Sequence, residues 1–414
     1  MKNTAVTENI RYVGADDKTI DLFESQYIVP KGVSYNSYVI MDEKTAVMDS
    51  VDIRAKEEWF ANLKKVLADR QPDYLIVSHM EPDHAGSIQY FMEQYPDAQI
   101  VASAKALNMM PQFFSMSMEG RSITVAEGTE LVLGKHILTF VMAPMVHWPE
   151  VMVTYEKTEK ILFSADAFGK FGALDVEEDW ICEARRYYFN IVGKYGAQVQ
   201  ALLKKAASLD IRMICPLHGP VLKESGEADA LFKIGSLQYY MDLYRTWSGY
   251  EPEKRGVFIA CASIYGNTRR AAEKLAGLLQ KNGVEEVRLM DLAREDMAEA
   301  VETAFCYDRL VLASVTYDGG LFPCMESFLA RLKAKNYQKR TVGMIENGSW
   351  APMSGRHMKE MLAGMKEIQM LEPVVTVKSA LNGESEEQIA KLAQALLAYK
   401  EVTETVRIKS IERL

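Results

Sequence analysis

The chain has 414 residues, 48% hydrophobic and 25% charged, with a formal net charge of -9. That length is too great for one ordinary domain and comfortable for two. The acidic balance, with no long Lys/Arg block, argues against nucleic acid as the partner, and no apolar stretch approaches the ~18 residues that span a bilayer. The first residues lack the apolar core of a signal peptide, and the five cysteines form no CxxC pair. A reducing cytoplasm is therefore expected, and any metal must be held by His and carboxylates.

Residues 35–50 read as two strands around the charged Asp42-Glu43-Lys44 turn. Helical patterning follows over 55–68, then a strand ending at Ser78. Residues 86–94 and 104–117 are expected to be helical, 121–165 strand-rich, and 183–208 helical. A further strand ends at Leu217, and 226–246 is expected to be a helix. The Gly- and Pro-containing stretch 248–255 marks a boundary, which divides the chain into expected domains 1–249 and 250–414. Beyond it, strands at 256–262, 285–290, 309–315, 341–346 and 372–377 alternate with helices near 268–281, 294–304, 323–334, 355–368 and 384–399. Such alternation predicts an α/β fold: a doubly wound parallel sheet with helices on both faces.

Four of the six histidines fall in one pattern with three carboxylates. His79, Glu81, Asp83 and His84 follow one apolar run, and His147, Asp166 and His218 each follow another. Seven such groups at strand ends are enough for two metal ions. The two-residue spacing from His79 to Glu81 to Asp83 converges in an extended or tight loop but diverges in a helix, and Pro82 keeps Glu81 out of a helix. The 79–84 segment is therefore expected to be a ligand loop. Imidazoles with carboxylates favour iron or manganese over softer ions. Two ferrous ions, three carboxylates and one bridging hydroxide come to neutrality, which a low-dielectric pocket tolerates.

This set resembles the metallo-β-lactamase-like domain of the flavodiiron proteins (A-type flavoproteins). Hydrolytic relatives carry His-x-His-x-Asp-His and bind zinc, whereas Glu81 stands at the second histidine's place here. The resemblance implies an N-terminal αββα sandwich. It also implies one iron on His79, Glu81 and His147, another on Asp83, His84 and His218, and Asp166 bridging them. Tyr195 matches a tyrosine that family members place near the metals, where a hydroxyl would steer substrate or a proton.

In the second half, strand 256–262 leads through Ser263, Ile264, Tyr265, Gly266, Asn267 and Thr268 into a helix. Hydroxyls, a Gly and the open N–H groups of a helix start make an anion site. The Gly-Lys-Ser/Thr ending of a Walker loop and the Gly-x-Gly-x-x-Gly of dinucleotide folds are both missing. The loop resembles the FMN phosphate loop of flavodoxins. Ser314, Thr316, Tyr317, Asp318, Gly319 and Gly320 follow the third strand, and Asn347, Gly348, Ser349 and Trp350 the fourth. Open α/β sheets bind ligands at such carboxyl ends, and Tyr317 and Trp350 offer flat faces to an isoalloxazine ring.

The resemblance covers essentially the whole chain and matches the two-domain class, which lacks a Cys-rich rubredoxin extension. It implies a reductase of O2, NO or both, with FMN passing electrons to a non-haem diiron centre. Two electrons on iron and two on the flavin match full reduction of O2 to water. An external donor such as rubredoxin or a reduced deazaflavin is implied. So is a head-to-tail homodimer or dimer of dimers. Two other readings stay open at this point: a zinc hydrolase fused to a flavodoxin, and an electron carrier with a metal-free first domain.

Overall fold

The structure, a computed structural model, describes residues 4–411, with side chains described through residue 398. The chain divides into two compact units that adjoin in sequence at Gly249 and Tyr250.

The first unit is built on two sheets. In one, Ile10–Tyr12, Tyr38–Ile40, Ala46–Met48, Tyr74–Val77, Gln99–Ser103 and Ser122–Val125 lie in that order, antiparallel over the first two pairings and parallel thereafter. The polar turn between Tyr38–Ile40 and Ala46–Met48 is closed by Asp42 Oδ1, which accepts from the Glu43 amide at 2.8 Å. The second sheet runs from Glu130–Val132 through Ile137–Met142, Met152–Glu156, Ile161–Phe163, Met213–Cys215 and Val221–Lys223 to Phe232–Ile234. The inner faces meet in one core, where Ile40, Ile76 and Val101 join Phe140, Phe163 and Cys215. Central strands of both sheets are buried on both faces, so their sequences read as continuous apolar runs.

Three local expectations are corrected. Residues 226–246 are not one helix: Phe232–Ile234 pairs in parallel with Val221–Lys223, and the helix is Leu237–Ser248, capped by Ser236. The expected helix at 183–208 starts earlier, at Trp180, and is broken by a π-turn at Tyr188–Val192 and a 3-10 turn at Gly193–Tyr195. The loop at 79–84 is extended through Glu81 (φ -61, ψ 136), but Pro82 then starts a single helical turn, Pro82–Ala85, that holds Asp83 and His84.

The second unit has a parallel sheet in the order Val287–Asp291, Lys254–Ala262, Tyr307–Tyr317 and Arg340–Asn347. Ile368–Met370 and Val375–Val377 both pair with Arg340–Asn347, with Pro373 between them. This is the flavodoxin-like order, with the switch point beside the first strand. Helices Asn267–Lys281 and Gly383–Ile411 pack on one face, where Ala271, Leu275, Leu392 and Leu396 are buried. Met297–Cys306, Pro323–Ala334 and Ser354–Leu362 associate with one another and the same strands. The last of these ends at Leu362, short of the expected 368, because 368–370 joins the sheet. No helix among the described residues is long and apolar enough to cross a membrane.

Candidate metal centre and flavin pocket

The seven metal candidates of the first unit converge on one place, past the carboxyl ends of strands from both sheets. His79 to His84 leave the first sheet after Tyr74–Val77. From the second sheet come His147, Asp166 and His218, after Ile137–Met142, Ile161–Phe163 and Met213–Cys215. The loops are held in conformations that extended chains rarely adopt: Met145, Ala165 and Gly219, each one or two residues from a candidate ligand, all have positive φ. At Gly219 (φ +80) a Cβ would lie 2.7 Å from Lys170 Cγ, so only glycine turns the chain here. The His218 loop is tied to the first sheet by Asn36, whose side-chain amide donates to the Pro216 and Gly219 carbonyls at 2.8 and 2.7 Å.

The donor atoms fall into two groups, His79/Glu81/His147/Asp166 and Asp83/His84/His218, each with its atoms within 4.8 Å of one another. In the first group His147 Nε2 is 2.9 Å and His79 Nε2 3.3 Å from Glu81 Oε2. In the second, His84 Nε2 and His218 Nε2 are 3.0 Å apart, each 3.2 Å from Asp83 Oδ2. Asp166 spans both: Oδ2 lies 3.2 Å from His79 Nε2 and 3.4 Å from His147 Nε2, while Oδ1 lies 3.5 Å from His84 Nε2. Ligands bound at about 2.1 Å to one ion stand roughly 3.0–3.4 Å from each other, so these separations are those of ion-binding polyhedra.

The chemistry of the set also requires cations. Both oxygens of Asp83 and both of Asp166 are buried and accept no hydrogen bond. Leaving carboxylates so is costly unless a positive charge faces them. Without metal, only protons can supply that charge. Burial opposes ionisation throughout, yet the Asp166, Glu150 and Glu81 carboxylates raise His79 well above the usual imidazole range. Against the same burial penalty, Asp83 and Asp166 push His84 up to about 10. Likewise the imidazoles of His84 and His218 hold Asp83 well below the carboxylate range, despite its burial. The residues present therefore fit two divalent ions sharing Asp166.

Several groups at this site carry no signal in the sequence. Glu150 Oε1 accepts from His79 Nδ1 and from the Met80 amide, both at 2.9 Å. His218 Nδ1 donates to the Ser34 carbonyl at 2.6 Å. The Tyr187 ring packs 5.3 Å from that of His218, and burial and the charges of Asp166, Asp83 and Glu81 raise its phenol well above the usual range. Tyr195, by contrast, is half-buried, and its ring lies 5.8 Å from the Lys194 ammonium. On the hairpin Leu22–Phe23/Tyr27–Ile28, desolvation and the charge of Glu81 push the carboxyl of Glu24 up to about 7. Trp148 packs edge-on to His79 at 5.3 Å.

In the second unit a cavity of about 620 Å³ is lined by Ser263, Ile264, Tyr265, Asn267 and Thr268, by 315–319, and by 347–351. Cofactor sites span roughly 300–1,000 Å³. Gly266 (φ +88) starts the helix Asn267–Lys281, and its amide donates to Ser263 Oγ at 3.1 Å. Three expected residues do not line the cavity. Ser314 is fully buried beneath it, Gly320 pairs with Tyr317 in a short hairpin, and Gly266 acts through its backbone turn. Val315, Ala351, Met353 and Ser379 line it beyond the expected residues; the last is fixed by Asn347, whose Oδ1 accepts from its amide at 3.1 Å. His357 reaches the Gly319 carbonyl at 3.1 Å, supporting the third-strand loop. The lining holds no Lys or Arg, so an anion there would be held by hydroxyls and the open helix start. Tyr265 and Trp350 are 90% and 92% exposed and Tyr317 44%, which suits a flat apolar ring seated between them. At Gly348 a Cβ would come 2.8 Å from Pro352 Cα, so the backbone itself forms this wall.

Residues 33–219 match the model of the ODP family beta lactamase. The chain is 29% identical over 95% of its length to a nitric oxide reductase of Moorella thermoacetica, covering 98% of that protein. It is 28% identical over 83% of its length to an anaerobic nitric oxide reductase flavorubredoxin of Vibrio vulnificus, covering 70% of that protein. Among solved structures, rubredoxin oxygen:oxidoreductase from Desulfovibrio gigas superposes with a TM-score of 0.84 at 26% identity, over 95% of this chain and 98% of the other. The flavodiiron protein of Giardia intestinalis shares the fold, with a TM-score of 0.84 at 24% identity over 97% of this chain and 98% of that one. Two buried donor groups sharing one aspartate and a flavodoxin-like unit with its cavity thus accompany a likeness, over nearly the whole chain, to a nitric oxide reductase and to a rubredoxin oxygen:oxidoreductase.

Proposed function

We propose that this chain is a flavodiiron reductase that reduces O2 to water, NO to N2O, or both, drawing electrons through FMN from an external donor. Its units act as a diiron domain (1–249) and an FMN domain (250–414). The observation that carries this reading is Asp166, buried with no hydrogen bond to either oxygen and facing one imidazole group with each. His79, Glu81 and His147 hold one iron, and Asp83, His84 and His218 the other. When bound, the irons supply a binding place and electrons for the gas, and the flavin supplies further electrons. Glu81 gives an oxygen ligand where the zinc hydrolases carry their second histidine, so hydrolysis is not the favoured chemistry.

The chain's own groups shape the reaction. The aromatic walls of Phe23, Tyr35 and Tyr187 around His218, and Trp148 against His79, exclude bulk water. Water exclusion keeps a partly reduced product from escaping. Tyr187, rather than Tyr195, is the tyrosine that offers a hydroxyl beside the ligands. In the FMN domain, Ser263 and Thr268 take the phosphate while Tyr265, Tyr317 and Trp350 flank the ring.

Rubredoxin, a reduced deazaflavin or another small carrier is the donor, a head-to-tail homodimer or dimer of dimers the working form, and the cytoplasm its place. The deciding experiment is anaerobic consumption of O2 and of NO by reduced protein, with Glu81→Ala and His147→Ala beside it. Turnover should vanish in both variants while FMN stays bound; retained turnover would sink the assignment.

A further inference from the structure

The two metal pockets differ in what stands behind their imidazoles. Behind His79 is a fully buried carboxylate: Nδ1 donates to Glu150 Oε1 at 2.9 Å, with both side chains at 0% exposure. That oxygen also accepts the Met80 amide at 2.9 Å, and the backbone carbonyl of Glu150 accepts Ser103 Oγ at 2.9 Å, so the residue is fixed through one carboxylate oxygen and its backbone, while Oε2 meets no partner among the described residues. Behind His218 stands only a neutral carbonyl, that of Ser34 at 2.6 Å. Behind His84, Nδ1 is buried and meets no hydrogen-bond partner among the described residues.

A carboxylate behind an imidazole fixes its tautomer and ring orientation and draws on the Nδ1 proton, making Nε2 the more basic donor. A carbonyl does this less, and a missing partner not at all. Glu150 lies three residues past His147, so the same loop that carries one ligand braces another.

We propose that Glu150 is a positioning residue that makes the two metal pockets chemically unequal, with His79 a stronger imidazole donor than His84 and His218. This rests on the diiron reading above. The iron held by His79, Glu81 and His147 is then distinguishable from its neighbour and depends on Glu150. The iron of Asp83, His84 and His218 does not.

The test uses full-length iron- and FMN-loaded protein, with Glu150→Gln, Glu150→Ala and Glu150→Asp. Release of iron to a ferrous chelator is followed together with the Mössbauer spectrum. In Glu150→Ala, release of one of the two irons should accelerate roughly 10–100-fold while the other keeps its rate. One quadrupole doublet should shift and the other stay. Glu150→Gln, which keeps an oxygen for the Met80 amide, should show the same one-sided shift, and Glu150→Asp should restore part of the slow release. Equal acceleration of both irons, or no change in either, would overturn the proposal. Unaltered protein that takes up fewer than two irons would instead overturn the diiron reading on which it stands.

Discussion

The metal centre and the flavin pocket are built on opposite principles. The first assembles ionisable side chains from four strand ends, almost all of them buried, and the carboxylates of Asp83 and Asp166 face imidazoles there without a hydrogen bond among the described residues. The second is an open crease lined by hydroxyls, amides and exposed aromatic faces, with no Lys or Arg in its lining. In one site identity is fixed by side-chain chemistry; in the other, much of the work is done by backbone placed at the ends of parallel strands. The metal site should therefore respond sharply to single side-chain changes, and the flavin site chiefly to changes of backbone shape.

The largest expected effect is at Asp166. Asp166→Ala should remove the shared carboxylate, empty both pockets and take turnover to background, with FMN content unchanged by absorbance. Retention of two irons would break the contrast. Next is Gly348→Val, which sets a side chain against Pro352; flavin content should fall severalfold while metal analysis still gives two irons. Tyr187→Phe should slow turnover about 10-fold with both irons kept, as expected of a residue moving protons or steering substrate. Tyr195→Phe should leave turnover unchanged.

The smallest effect lies away from both sites. Burial disfavours a charged His136, but Asp42 at 2.7 Å and Glu159 at 3.2 Å raise its pKa above the ordinary value. A raised histidine stabilises the fold fully below the unfolded value near 6.5 and loses that contribution as pH climbs through the folded one. Denaturant unfolding should thus show His136→Ala costing on the order of 1 kcal/mol at pH 6 and less at pH 9.

The same contrast explains what could be read from the sequence. The seven candidate ligands were legible because each is a rare residue type standing just past an apolar run, and the doubly wound parallel sheet followed from the alternation of strands and helices, whereas the αββα sandwich rested on the family resemblance. Glu150, Ser34 and Asn36 were not, since a residue that braces a ligand needs no particular spacing and acts across long separations in the chain. Tyr187 escaped notice for a related reason: the π-turn at Tyr188–Val192 shifts the helical phase, so the faces of Tyr187 and Tyr195 cannot be inferred from a continuous period. Phe232–Ile234 was taken into a helix because a three-residue apolar–polar–apolar run has no period of its own; pairing with Val221–Lys223 decides it. In the flavin unit the loops were legible by position, while Ser379 follows the last strand, Val375–Val377, and His357 reaches in from the helix Ser354–Leu362.

The most direct test of the account is the iron and flavin content of full-length protein purified without oxygen from iron-supplemented cells. Two irons and one FMN per chain are expected, with the two irons lost together when Asp166 is replaced. One metal per chain, or two zinc ions that iron supplementation does not displace, would contradict it.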